Sequence, residues 1–141
     1  MGSHKYSFEL ENDLSELEAL YRHLNKFGQV AGLSEACITD VNICLDELFT
    51  NIVSYGFEDD LGHLINFNVK LDNHELTLII EDEGMPFNPL ENKDPEVPAD
   101  LLDVRIGGLG IHIVRKLMDD VRYSRKQGKN RLTMKKSIQT F

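Results

Sequence analysis

The period of the hydrophobic residues changes along the chain, and each change marks an element. Tyr6, Phe8 and Leu10 alternate with polar residues, which predicts a short strand, and Asn12 or Asp13 is placed to cap a helix beginning near Leu14. Leu14, Leu17, Leu20, Tyr21, Leu24 and Phe27 then recur at helical spacing, with Gly28 and Gly32 expected to end the helix. Ser34 opens a second helix with Ile38, Val41, Leu45, Leu48, Ile52 and Tyr55 along one side, and Gly56 stops it. From Leu64 the period becomes two. Ile65, Phe67, Val69 and Leu71 oppose Asn66, Asn68, Lys70 and Asp72, the pattern of a half-buried antiparallel strand. Asp72-Asn73-His74 is turn chemistry, and Leu76, Leu78 and Ile80 form the inner face of a return strand.

Regularity fails over 84–106, a stretch that holds all four prolines. A segment this long without its own structure is usually functional or disordered, and it is read here as a lid, with room for a short helical turn at 99–104. Beyond Gly107-Gly108-Leu109-Gly110, a third helix is predicted through Ile111, Val114, Leu117 and Met118. Val121–Arg125 and Arg131–Ile138 complete a hairpin across Gln127-Gly128-Lys129-Asn130. The order β-α-α-β-β-lid-α-β-β fits neither a βαβ alternation nor a helix bundle. The predicted class is α+β: a two-layer α/β sandwich in which a mixed, mostly antiparallel sheet carries three main helices on one face.

Composition narrows the function classes. At 141 residues and 41% hydrophobic the chain is expected to form one domain with one core, which excludes a disordered or low-complexity reading. Apolar runs stop at about four residues, far short of the roughly 20 needed to cross a bilayer. A net charge of −9 argues against generic nucleic-acid binding. The charge is uneven: residues 1–104 carry −17 and residues 105–141 carry +8. A strand pair with solvated Lys and Arg accounts for that basic quarter simply; an anion site nearby is the sharper account. Cys37 and Cys44, seven residues apart on a predicted helix, would lie about 10 Å apart, too far for a disulfide. No Cys-x-x-Cys spacing points to zinc, and reduced thiols fit a cytoplasmic protein. Residues 1–4 lack the apolar run of a signal peptide and read as part of a cloning scar.

Three groups carry candidate chemistry. Asp82 continues the inward register of Leu76, Leu78 and Ile80, so its carboxylate either points toward the helix layer or marks a strand that has ended and turned to solvent. Inward, it is an acceptor for a ligand donor such as an exocyclic amine, with Gly84 permitting close approach. Glu47 and Asn51 are four apart, about 40° from one another on the second helix at the border of its apolar stripe. They form either a solvated edge or a hard-cation ligand beside a proton acceptor. The glycines at 107, 108 and 110 open a helix, where backbone amides and the helix dipole favour phosphate; the alternative is a hinge. Neither a Walker loop nor a Rossmann turn fits them.

Taken together, these groups resemble the GHKL (Bergerat-fold) ATP-binding superfamily, and within it the bacterial anti-sigma-factor serine/threonine kinases of the RsbW/SpoIIAB type. The resemblance runs over nearly the whole chain. Leu45-Asp46-Glu47-Leu48-Phe49-Thr50-Asn51 is similar to the family's N box, Asp82-Glu83-Gly84-Met85-Pro86-Phe87-Asn88-Pro89 to its first glycine box, and Gly107-Gly108-Leu109-Gly110-Ile111, followed by Leu117-Met118-Asp119, to its second. It implies ATP and Mg²⁺ as cofactors, with Asp82 on the adenine amino group, Asn51 on the metal, and Glu47 as the base for a partner's serine hydroxyl. Arg105 would neutralise charge on the γ-phosphate. Gly84, Pro86, Phe87, Gly107, Gly108, Leu109, Gly110, Ile111 and Thr133 complete the implied nucleotide-binding set. The implied partners are a sigma factor and an anti-anti-sigma (STAS-type) protein, the latter being the phosphorylation substrate. A homodimer is also implied, and direct contact with nucleic acid or membrane is not. The alternative from another class is a nucleotide-gated module that sequesters a regulator without phosphoryl transfer. Asp46 stands where the family often has Ser, Tyr55-Gly56-Phe57 replaces its His-Gly-Tyr, and Asn88 replaces an Asp. Asp46 lies about 100° from Glu47 around the helix and is not expected to couple strongly to it.

Overall fold

Two tight turns set the architecture. In the computed structural model, which describes residues 3–59, 61–91 and 108–138, Asn73 and His74 both take positive φ (51° and 64°), as do Gln127 and Gly128 (53° and 76°). Two-residue turns of this hand match the twist of paired strands. They join β2 (Leu64–Asp72) to β3 (Glu75–Asp82), and β4 (Asp120–Lys126) to β5 (Lys129–Ser137). With β1 (His4–Glu11) the strands form one sheet in the order β1-β2-β3-β5-β4. Every described pairing is antiparallel, so the sheet expected to be mixed has no parallel pair among the described residues.

Three helices pack on one face: α1 (Leu17–Ala31), α2 (Glu35–Tyr55) and α3 (Gly108–Leu117). Asp13 accepts from the Ser15 amide at 2.9 Å, but the turn it caps, Leu14–Glu16, is 3₁₀, and α1 proper starts at Leu17. Gly32, at φ 77°, ends α1. Gly28 does not end it; it is buried inside the helix where α1 meets α2, and a Cβ there would stand 2.4 Å from Ile38 Cδ1. Ser34 caps α2 by accepting from the Cys37 amide at 3.1 Å, and Gly56 closes it. The core lies between the layers, centred on Leu45, Leu48 and Phe49 of α2, Phe67 and Leu78 of the sheet, and Val114 of α3. Cys37 and Cys44 are buried free thiols. No described helix is long and apolar enough to cross a membrane.

The helix directions matter for function. Lys136 Nζ, on β5, donates to Leu117 O at the end of α3 (2.7 Å) and lies 4.0 Å from Asp40 near the start of α2. At its other end α2 reaches the loop after β3, where Gly56 O accepts from the Met85 amide at 3.0 Å. The two helices therefore run in opposite directions. The end of α2 that carries Asn51 and the start of α3 both lie away from Lys136, toward the end of the sheet that holds Asp82. Most of the predicted lid, with Arg105, Gly107 and the turn at 99–104, falls outside the described residues.

Candidate functional site

Asp82 ends β3 with its carboxylate inward and only 4% of its surface exposed. A buried carboxylate is costly unless it is hydrogen-bonded. Its Oδ1 accepts from the Gly84 amide (2.9 Å) and from Asn130 Nδ2 (3.0 Å). Asn130 is its partner across β3 and β5 and is itself 5% exposed. That amide is fully engaged: Nδ2 also donates to Met85 O (2.8 Å), while Oδ1 accepts from Arg125 Nη1 (3.0 Å), the Phe87 amide (3.3 Å) and the Tyr123 hydroxyl. Arg125 Nη1 donates as well to Gly84 O at 2.8 Å. The loop from Gly84 to Phe87 is thus fastened to the β4–β5 hairpin through Asn130 and Arg125.

Sequence reasoning missed Asn130, although its signal was present, since Leu132 and Met134 point inward and residue 130 continues their register. Thr133 requires a correction. It sits between Leu132 and Met134, half-buried on the opposite side of β5, opposite Ile79, so it does not share the Asp82 face. Gly84 is required for a different close approach from the one expected: a Cβ there would lie 2.2 Å from Gly56 O and 2.9 Å from Asp82 Oδ1. Pro86 is exposed, and the half-buried Phe87 ring lies 6.2 Å from that of Tyr55, at the end of α2. Asn88 Oδ1 accepts from the Leu90 amide at 2.9 Å, and Leu90 O accepts from Arg115 of α3.

On α2, Asn51 is 5% exposed rather than at a solvated edge, and its buried Nδ2, like that of Asn42, has no hydrogen-bond partner among the described residues. Leaving such a group unmet costs about 1–3 kcal/mol. An Asn amide offers an oxygen to a hard cation and an NH₂ to a phosphate oxygen, so the residue fits a metal–phosphate ligand. Glu47, one turn earlier, is half-buried, and its carboxyl is held above the ordinary range, mainly by burial and secondly by the charge of Asp46. Gly108, Leu109 and Gly110 open α3, and Ile111 is buried in the core beneath them. Among the described residues no cluster of three or more His, Cys, Asp or Glu is arranged to hold a metal.

A five-stranded antiparallel sheet under three helices, with a buried Asp at one strand end and a buried Asn on the helix reaching toward it, is an arrangement matched by a known class of ATPase domains. The family described as the histidine kinase-like ATPase domain matches residues 10–136, and the chain belongs to it. The chain is 31% identical over 94 residues to the serine/threonine-protein kinase BtrW of Bordetella bronchiseptica, covering 67% of this chain and 66% of that one. It therefore spans just under two thirds of that kinase's length. It is 24% identical over 104 residues to the anti-sigma F factor of Clostridium perfringens, covering 73% and 74% of the two chains. Among solved structures, the RsbU and RsbW domains of Rv1364c from Mycobacterium tuberculosis share the fold, with a TM-score of 0.67 at 13% identity over 95% of this chain and 32% of that one.

Proposed function

We propose that the chain is an anti-sigma regulator that binds Mg-ATP and phosphorylates a serine or threonine of a STAS-type partner. The observation that carries this reading is a buried, hydrogen-bonded Asp82 at the end of the sheet toward which α2 brings a buried Asn51, whose Nδ2 has no partner among the described residues. Family membership and the names of the relatives support it.

In this reading the free face of the Asp82 carboxylate accepts the adenine amino group, and Phe87 lies beside the base. Asn51 offers its amide oxygen to Mg²⁺, which supplies charge neutralisation at the phosphates when bound. Backbone amides at 107–110 and the start of α3 receive the phosphates, a task suited to a helix N-terminus. Phosphoryl transfer depends chiefly on positioning and electrostatics. Glu47, made more basic by burial, orients the partner's hydroxyl and takes its proton. Arg105 would balance γ-phosphate charge. The sigma factor is the second partner, and a homodimer is the assembly.

Calorimetry with Mg-ATP on wild type and Asp82→Asn, with a radiolabelled transfer assay on the partner, tests the proposal. Wild type should bind and transfer, Asp82→Asn should bind weakly, and Glu47→Gln should bind without transfer. ATP binding with no transfer by wild type would leave a nucleotide-gated sequestering module.

A further inference from the structure

Five hydrogen bonds fix the Asn130 side chain in one sense. Three donors, from Tyr123, Arg125 and the Phe87 amide, meet its oxygen, and two acceptors, Asp82 Oδ1 and Met85 O, meet its nitrogen. A flipped amide would set oxygen against a carboxylate and a carbonyl, and nitrogen against three donors. Oδ1 of Asp82 is already taken by Asn130 and by the Gly84 amide. From the described residues, then, the carboxylate presents only its second oxygen for a ligand, and a carboxylate oxygen accepts.

From this we infer that Asn130 is a positioning residue that sets nucleobase selectivity: it holds Asp82 so that the pocket presents an acceptor and no donor, and thereby selects a base bearing an exocyclic amine. The inference rests on the proposed placement of the base at Asp82. Tyr123 and Arg125 act one step further out. They lie on the same side of β4 and hold the Asn130 oxygen, so that only its NH₂ can face Asp82. A base with a carbonyl at that position meets a carboxylate oxygen, and a base with hydrogen there leaves the carboxylate unmet.

The test compares ATP with purine riboside triphosphate, which lacks the amine, by calorimetry. Wild type should favour ATP by about tenfold or more, the scale of a hydrogen bond to a charged group. Asn130→Asp has the same shape but sets a second carboxyl against Asp82, so that the buried pair holds a proton and no longer presents a plain acceptor; the ratio should fall to about twofold or less while the affinity contributed by the phosphates persists. A residue that merely fills space would leave the ratio unchanged, and an unchanged ratio in folded Asn130→Asp overturns the inference. If circular dichroism shows that this variant does not fold, Tyr123→Phe decides in its place: a fall of about twofold to fivefold supports the inference, and no change overturns it. Asp82→Asn separates the levels. A ratio collapsed by Asp82→Asn but untouched by Asn130→Asp rejects the role of Asn130 alone. A ratio that is near one in wild type, or indifferent to Asp82→Asn, rejects the base placement and the inference with it.

Discussion

Gly84 and Gly56 meet backbone to backbone. A Cβ on Gly84 would stand 2.2 Å from the Gly56 carbonyl oxygen, the same oxygen that accepts from the Met85 amide at 3.0 Å. The loop that follows Asp82 is therefore locked to the end of the helix carrying Asn51, and the two halves of the proposed site share one joint. Gly84→Ala must push the loop off Gly56 and crowd Asp82 Oδ1, because the obstacle is backbone and cannot rotate away. It is expected to lower stability by about 1–3 kcal/mol, as overpacking does. It should also weaken ATP binding about tenfold or more by displacing the carboxylate. Urea denaturation and calorimetry read the two effects, and wild-type values in both would refute the joint.

Glu47 carries a pH signature. Burial first, and the Asp46 charge second, raise its folded pKa above the ordinary 4.5. A base works ionised, so phosphoryl transfer should rise with pH through a limb lying above 4.5 and then level off. Asp46→Asn removes one of the two causes and should move the limb down. The stability sign is the reverse of the usual carboxylate. Because the folded state holds the proton more tightly, Glu47 weakens folding as pH rises through the raised value, and the loss disappears below the unfolded pKa. Glu47→Gln should therefore raise the melting temperature of the ligand-free protein at neutral pH and have no such effect in acid. Thermal melts across pH check this, and a gain that is flat with pH would count against it.

The two thiols give a reactivity test. Cys44 is fully buried, and burial pushes its thiol pKa up to about 12; Cys37 is shifted in the same direction for the same cause. The thiolate is the reactive form, so both should resist a disulfide-exchange reagent in native buffer and react promptly in denaturant. Fast labelling of the native protein would show that the helix layer opens readily around α2.

Legibility in the sequence followed the strength of the local signal. Strands of period two, the Ser34 cap, the Gly56 stop and the inward register of Asp82 could all be read, because each depends on neighbours a few residues away. Gly28 differs from its expected role because a glycine in a helical pattern looks like a stop, whereas here it admits Ile38 from another helix. The placement of β5 between β3 and β4, which leaves no parallel pair among the described strands, is set by long-range pairing that no local period encodes. Thr133 lies on the opposite side of β5 from Asn130, Leu132 and Met134, a difference that strand register makes legible and motif resemblance does not. Asn51 looked like a helix edge until the packing of α2 buried it.

Asn51 yields the sharpest opposition between stability and function. Among the described residues its Nδ2 is buried without a partner, as is Asn42 Nδ2, and such a state costs free energy. Replacing the amide with an apolar group of nearly the same volume removes the unmet donor, so Asn51→Leu should stabilise the ligand-free protein by about 1 kcal/mol. The same change deletes the oxygen proposed for Mg²⁺, and Mg-dependent ATP binding should fall by about tenfold or more, leaving any metal-independent affinity through Asp82 in place. A more stable variant that binds ATP worse is the pattern of a residue retained for its ligand rather than for the fold. Urea denaturation without nucleotide, with calorimetry in magnesium and in chelator, separates the two effects. A destabilised Asn51→Leu whose ATP binding still responds fully to magnesium would make Asn51 a packing residue and move the metal elsewhere.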